Sequence, residues 1–114
     1  MATIYHNPRC SKSRQTLEIL RANGIEPDIV HYLQTPLDKP RLVALLEKLG
    51  FSAAQLVRRS EQGFKDGNLG APGVSEEQLL DAMSAQPKLI ERPIVVIGSR
   101  AVLGRPPEKV LELL

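Results

Sequence analysis

The sequence predicts an α/β fold, and three observations support this prediction. The beginning of the chain alternates strand, helix and strand patterns, which is typical of a βαβ unit with parallel strands. The end of the chain has the pattern of two strands joined by a tight glycine turn and followed by a helix. The single cysteine, Cys10, lies between the first strand and the first helix, where polar and basic neighbours surround it.

The predicted βαβ unit comprises a strand at residues 2–5, a helix from about 11 to 23 and a second strand at 28–33. Gly24 ends the helix, because glycine adopts the left-handed conformation found after many helix C-termini. We expect His31 to belong to the second strand, with its side chain facing solvent or a neighbour and without a catalytic role.

A helical insertion over about residues 38–86 separates the two β-containing parts. Asp38 is the expected N-cap of its first helix, and the sequence favours a capping box at Ser75 and Gln78. The three helices predicted within the insertion run from Asp38 to Gly50, from Ser52 to about Val57, and from Ser75 to about Ala85. Residues 60–74 are rich in glycine and proline, which predicts a mobile surface connection that could act as a lid.

The apolar run Ile94–Ile97 predicts a strand in the centre of the sheet. Gly98 and Ser99 form a two-residue hairpin connection to a strand at residues 100–103. A final helix is predicted over about residues 108–114. The residues expected to face inward from that helix are Val110, Leu111 and Leu114.

Composition places the chain among ordinary globular proteins and limits its partners. Its 114 residues, with 42% hydrophobic and 25% charged residues, predict one domain over 1–114 that folds without disulfides or metal. A net charge of +2 gives no argument for nucleic-acid binding, and no apolar run reaches the length of a membrane span. The N-terminus has no signal-peptide pattern and a single cysteine cannot form an internal disulfide, so we expect a cytoplasmic protein.

The chemistry of the chain is predicted to centre on Cys10. Its position before a helix exposes the thiol to the first helical N–H groups and to the positive end of the helix dipole, which favour an anion. A thiol in such surroundings loses its proton more easily, and the thiolate is the nucleophile. Arg14 lies one turn along the same helix, and His6 lies at the end of the preceding strand, within reach of the sulfur.

A βαβ unit and a ββα unit with a cysteine after the first strand form the thioredoxin arrangement, and Arg92-Pro93 resembles the cis-proline of that fold. The chain further resembles the glutaredoxin-coupled arsenate reductases of the ArsC type, in a shorter branch of that family. The resemblance covers essentially the whole chain. The residues that carry it are Ile4-Tyr5-His6-Asn7-Pro8-x-Cys10 with Ser13-Arg14, Arg92-Pro93-Ile94-Val95-Val96, and Arg105-Pro106, together with the inserted helices.

The resemblance implies a cytosolic enzyme that reduces arsenate to arsenite through a covalent Cys10–arsenic adduct. Cys10 is the implied nucleophile, supported by His6 and Arg14, and Pro93 is a structural residue near the site. Glutathione is the implied co-substrate and glutaredoxin the implied partner, with no bound cofactor and no metal site. The residues implied in oxyanion binding are Arg58, Arg92 and Arg105, together with the loop residues Ser11, Lys12 and Ser13.

Two alternatives use the same scaffold. Spx-type regulators resemble this architecture but use a Cys-x-x-Cys switch, and the second position here is Ser13. Monothiol glutaredoxins use the Cys-x-x-Ser pattern found here, although their flanking residues differ and they lack the inserted helices. Phosphatase-like arsenate reductases need an arginine six residues after the cysteine, where this chain has Thr16. Two alternative functions remain open: a regulatory or interaction protein, and a glutathione-linked oxidoreductase that acts on another substrate.

Overall fold

The structure, a computed structural model, describes all residues from 1 to 114. The chain forms two compact units, one comprising residues 1–35 and 92–114 and the other comprising residues 36–91. None of the helices combines the length and the apolar composition that a membrane-spanning helix requires.

The first unit contains a four-stranded mixed sheet, as the sequence predicts. Its strands are Ala2–Tyr5 (β1), Asp28–Val30 (β2), Ile94–Ile97 (β3) and Arg100–Leu103 (β4). The strand order is β2-β1-β3-β4, with β1 parallel to β2 and β3 antiparallel to both β1 and β4. The apolar strand β3 therefore lies inside the sheet, where both of its edges are paired.

The helix Ser11–Ala22 (α1) follows β1, and a 3-10 helix at Pro107–Leu113 follows β4. Side chains from β1, α1, β3 and this 3-10 helix form one apolar core. Its buried members are Ile4, Leu17, Leu20, Val95 and Val110. Burial of these aliphatic groups holds α1 against the sheet and fixes the direction in which the N-terminus of α1 points.

The second unit is helical. Its helices are Lys39–Leu49 (α2), Ala53–Leu56 (α3), Gln62–Asp66 (α4), Glu76–Ala85 (α5) and a 3-10 helix at Pro87–Leu89. Asp38 caps α2 by accepting a hydrogen bond from the backbone N–H of Arg41, and Gly50 ends α2 with φ of 72°. Ser75 and Gln78 form the predicted capping box of α5. Contacts of α5 with α2 and α3 close the apolar interior of this unit.

Three predictions about secondary structure are corrected. Strand β2 ends at Val30, because the backbone N–H groups of Gln34 and Thr35 both donate to the carbonyl of His31 and form a turn there. His31 is therefore an exposed turn residue rather than a strand residue. The segment 60–74 contains α4, which at five residues is too short to produce a helical period in the sequence.

The third correction concerns the end of the chain. The predicted α-helix is a 3-10 helix, and Leu111 and Leu114 are 47% and 50% exposed, so only Val110 of the three residues expected inside is buried. The i+3 spacing of a 3-10 helix differs from the period of an α-helix, so the inward face is narrower than predicted.

Gly104 lies where β4 ends, and the structure leaves no space for a side chain there. A Cβ at this position would lie 2.6 Å from Oγ1 of Thr16 and 2.9 Å from Cγ of Pro93. We expect Gly104→Ala to destabilise the protein by about 1–3 kcal/mol through overpacking, lowering the thermal midpoint by roughly 4 °C or more. Ser99→Ala, at an exposed turn, is the control and should leave the midpoint nearly unchanged; an unaltered midpoint for Gly104→Ala would contradict the packing described.

Candidate active site

Cys10 occupies the N-cap position of α1. Its carbonyl accepts the first helical hydrogen bond, from the N–H of Arg14 at 3.0 Å, and its backbone is extended with φ of −92° and ψ of 120°. Ser, Asp or Asn at this position would accept a hydrogen bond from the first helical turn, but no side chain caps α1. A neutral thiol is a weak acceptor, so the N–H groups of this turn remain available to a thiolate or to an oxyanion.

The loop before Cys10 is held by a turn that begins at Asn7. The N–H of Cys10 donates to the carbonyl of Asn7 at 3.0 Å, and the N–H of Arg9 donates to Oδ1 of Asn7 at 3.0 Å. Arg14 adds a bond from Nη1 to the carbonyl of Pro8 at 2.8 Å. An Asn-Pro pair is a recognised turn signal, and it could have predicted this role of Asn7 from the sequence.

Cys10 is only 8% exposed, so it is more buried than its polar neighbours in the sequence suggested. Burial alone raises the pKa of the thiol, but the backbone N–H of Ser13, the guanidinium of Arg92 and the backbone N–H of Lys12 act in the opposite direction. The combined effect of burial and these three donors is a pKa of Cys10 below its usual value. The site therefore favours the thiolate, which is the reactive form of cysteine.

Two arginines from the far end of the sequence meet at Cys10. Nη2 of Arg105 lies 3.8 Å from Sγ of Cys10, and Nε of Arg105 donates to the carbonyl of Arg92 at 2.8 Å. The N–H of Gly104 donates to the carbonyl of Pro93 at 2.9 Å, which ties the end of β4 to the beginning of β3. Because of these two bonds, the segments that carry both arginines are fixed relative to each other.

The peptide bond between Arg92 and Pro93 is cis, as the resemblance to the cis-proline of the thioredoxin fold implies. A second cis bond, between Arg105 and Pro106, was not predicted. Each of the two arginines therefore directly precedes a cis-proline.

His6 and Arg14 support the loop rather than bonding to the sulfur. Nδ1 of His6 lies 2.6 Å from Oγ of Ser13, and the same hydroxyl accepts from the N–H of Asn7 at 3.1 Å. Burial, together with the charges of His31, Arg21 and Arg14, lowers the pKa of His6, so its imidazole is neutral near pH 7. Since Ser13 accepts from Asn7, its hydroxyl hydrogen is free to donate to Nδ1 of His6. Ser13 is fully buried and links the end of β1 to the first turn of α1.

The remaining loop residues predicted at the site, Ser11 and Lys12, are the first two residues of α1 and are exposed. Lys12 contributes its backbone N–H to the surroundings of the thiol, while its carbonyl accepts from the hydroxyl of Thr16 at 2.8 Å. The predicted oxyanion loop is thus a set of backbone N–H groups at a helix N-terminus with a cationic rim.

Arg58 lies in the helical unit, and its contacts there are with carboxylates. Its Nη1 lies 2.8 Å from Oε1 of Glu91, and its Nε lies 3.5 Å from Oε1 of Glu61. Its backbone N–H donates to the carbonyl of Leu89. Sequence reasoning missed Glu91, because a pair separated by 33 residues leaves no local pattern. The assignment of Arg58 as an oxyanion ligand stays a prediction from the resemblance.

The site combines an activated cysteine at a helix N-terminus with two guanidinium groups, on a thioredoxin-like sheet. The sequence pattern that defines the ArsC family matches residues 5–113. The chain is 46% identical to an arsenate reductase of Haemophilus influenzae, over 97% of each chain. It is 55% identical to an uncharacterized protein of Escherichia coli K12, YfgD, over 96% of this chain and 93% of that protein.

Among solved structures, an arsenate reductase from Vibrio cholerae superimposes with a TM-score of 0.97 at 46% identity, covering 99% of this chain and 97% of that one. The family match spans nearly the whole sequence, and the relatives agree with it in length and fold. The chain belongs to the ArsC family.

Proposed function

We propose that this protein is a cytoplasmic arsenate reductase that uses Cys10 as its nucleophile and external thiols as its source of electrons. The observation that carries the proposal is the pair of guanidinium groups at a single activated sulfur, with Nη2 of Arg105 at 3.8 Å from Sγ. Arginine binds tetrahedral oxyanions through paired N–H donors, so the same groups that favour the thiolate also attract arsenate. The relatives named arsenate reductase support this substrate.

In the proposed reaction, the Cys10 thiolate attacks arsenic, and an As–S bond forms while one As–O bond breaks. The oxygen leaves as hydroxide and takes up a proton to become water. Arg92 and Arg105, with the N–H groups of Lys12 and Ser13, offset the negative charge that gathers on the remaining oxygens in the transition state. In this proposal Arg58 also binds the oxyanion, as the resemblance implies, in competition with its carboxylate partners.

The electrons come from two thiols outside the chain, because Cys10 is its only cysteine. Glutathione thiolate attacks the sulfur of Cys10, an S–S bond forms, and the electron pair of the S–As bond passes to arsenic, which leaves as arsenite. A second thiol, proposed here to belong to glutaredoxin, attacks the glutathione sulfur and releases the Cys10 thiolate. One arsenate and two thiols thereby give arsenite, one disulfide and water.

The presence of Arg92 and Arg105 beside Cys10 favours an enzyme over a regulatory protein with the same fold. A protein that only binds a partner or senses oxidation has no need for two guanidinium groups beside one sulfur, since both carry a desolvation cost when partly buried. A glutathione-linked oxidoreductase acting on a substrate that is not an oxyanion would need a reactive thiol, but it would not need two arginines that bind an oxyanion beside that thiol.

The rate of Cys10 alkylation as a function of pH, with and without arsenate, tests the proposal. We expect a thiol pKa below the unperturbed value of ~8.5, because the Ser13 and Lys12 N–H groups and Arg92 favour the thiolate. Arg92→Gln should move that pKa upward, and arsenate should slow alkylation of the unaltered protein. An ordinary thiol pKa together with no protection by arsenate would refute the proposed function.

A further inference from the structure

A cleft of about 220 Å³ lies beside the turn that carries Cys10, within the first unit. Its wall includes three residues of that turn and the segment that follows β2. The lining residues are His6, Asn7, Pro8, Arg9, His31, Leu33 and Gln34. None of them is acidic, and Pro8 and Leu33 supply apolar surface beside the polar groups. Convergent polar groups on a concave surface of this size are suited to the polar end of a small molecule rather than to a whole apolar ligand.

The cleft is suited to a carboxylate. The guanidinium of Arg9 is exposed and takes part in no salt bridge or side-chain hydrogen bond. The rings of His6 and His31 lie 6.2 Å apart, and the neighbouring imidazole is one of the causes, after burial, of the lowered pKa of His6. An anion in this cleft would pair with Arg9, whose planar fork fits a carboxylate, and the imidazole of His31 offers a ring N–H donor beside it.

We propose that this cleft binds a carboxyl end of the thiol co-substrate, an anionic thiol peptide such as glutathione, with Arg9 and His31 as its recognition residues. The inference rests on the proposed function, which requires an external thiol. The cleft borders the turn from Asn7 to Cys10, whose N–H-to-carbonyl bond of 3.0 Å fixes the path between them. Three residues span at most about 10 Å, so a peptide held at its carboxyl end keeps its central thiol near this turn.

A larger cavity of the same unit does not fit this ligand. It measures about 400 Å³ and is lined by Gln15, Glu18, Ile19, Ala22 and Glu108. Two carboxylates and no cation face it, so a peptide with two carboxylates of its own would be repelled. The smaller cleft fits this ligand better, because it borders the turn that carries Cys10 and because no acidic residue lines it.

The test uses S-methylglutathione, in which the thiol is blocked, as a probe of binding without reaction. The chain contains two histidines, so the imidazole region of its NMR spectrum holds two sets of resonances, which a His31→Gln variant assigns. We expect millimolar probe to shift both sets saturably. Arg9→Ala should weaken binding by about threefold to tenfold, the size expected when one solvent-exposed hydrogen bond is lost, and Arg9→Lys should retain part of the affinity.

Two controls isolate the carboxylate. The dimethyl ester of the probe should bind more weakly than the free acid, and Arg100→Ala, which removes an exposed arginine on β4, should leave affinity unchanged. Absence of saturable shifts, equal binding of the ester, or full affinity in Arg9→Ala would overturn the proposal. Protection of Cys10 by arsenate reports on the proposed function separately, and it should persist in Arg9→Ala, so failure of one idea is distinguishable from failure of the other.

Discussion

Cys10→Ser should reduce arsenate turnover coupled to glutathione and glutaredoxin to the level measured without enzyme. The hydroxyl of serine occupies nearly the same volume as the thiol, but near pH 7 it does not ionise, and the donors that stabilise a thiolate cannot make it a comparable nucleophile. The chain has no second cysteine to replace it. The measurement is the arsenate-dependent oxidation of glutathione at saturating concentrations of both substrates.

Loss of activity must be separated from loss of structure. Because Cys10 lies at a helix N-cap, where serine is a preferred residue, the variant should fold with a thermal midpoint close to that of the unaltered protein. A folded Cys10→Ser protein that still reduces arsenate above background would eliminate the covalent mechanism.

Arg105→Ala should lower kcat/KM for arsenate by about 10²–10³, the usual effect of removing one donor from a preorganised oxyanion site. Nη2 of Arg105 lies 3.8 Å from the sulfur, and Nε of Arg105 donates to the carbonyl of Arg92. Arg105→Lys should recover only part of the loss, because an ammonium keeps the charge but not the paired donors. Initial rates over a range of arsenate concentrations separate the change in kcat from the change in KM.

Arg100→Ala provides the matched control for this prediction. Arg100 lies five residues earlier, is exposed, and donates to the carbonyl of Glu112. Its removal changes the net charge equally but should leave kcat/KM within about twofold, since exposed charges contribute little at a distance in salt. An equal loss of kcat/KM in the two variants would show that the net charge of the protein, rather than the position of Arg105, determines activity.

The sequence predicted best the features that are determined locally. Asp38 with Gly50, and Ser75 with Gln78, mark helix ends through hydrogen bonds between residues close in the chain, and the structure has them as predicted. The pairing of β3 within the sheet also followed from its unbroken apolar run. The exposure of Leu111 was not predicted, because the change from about 3.6 residues per turn in an α-helix to about 3.0 in a 3-10 helix moves a side chain from core to solvent.

The site was less accessible to sequence reasoning than the fold. The position of Cys10 before a helix indicated an anion site, but the meeting of Arg92 and Arg105 at its sulfur depends on contacts across 95 residues and was available only through resemblance. His6 and Ser13 are only seven residues apart in the sequence. Even so, nothing in this spacing indicates that the imidazole bonds to the hydroxyl of Ser13 rather than to the thiol of Cys10. Such pairings are properties of the folded chain.

The N-cap position of Cys10 couples the chemistry of the sulfur to the order of a helix. Each step of the proposed cycle changes what faces the first turn of α1: a thiolate, an arsenic adduct or a neutral disulfide. The N–H groups of Lys12 and Ser13 stabilise the first of these and lose that partner in the last. The hydrogen-exchange rates of these two amides should therefore change with the chemical state of the sulfur. Measuring them should identify which intermediate of the proposed cycle is present.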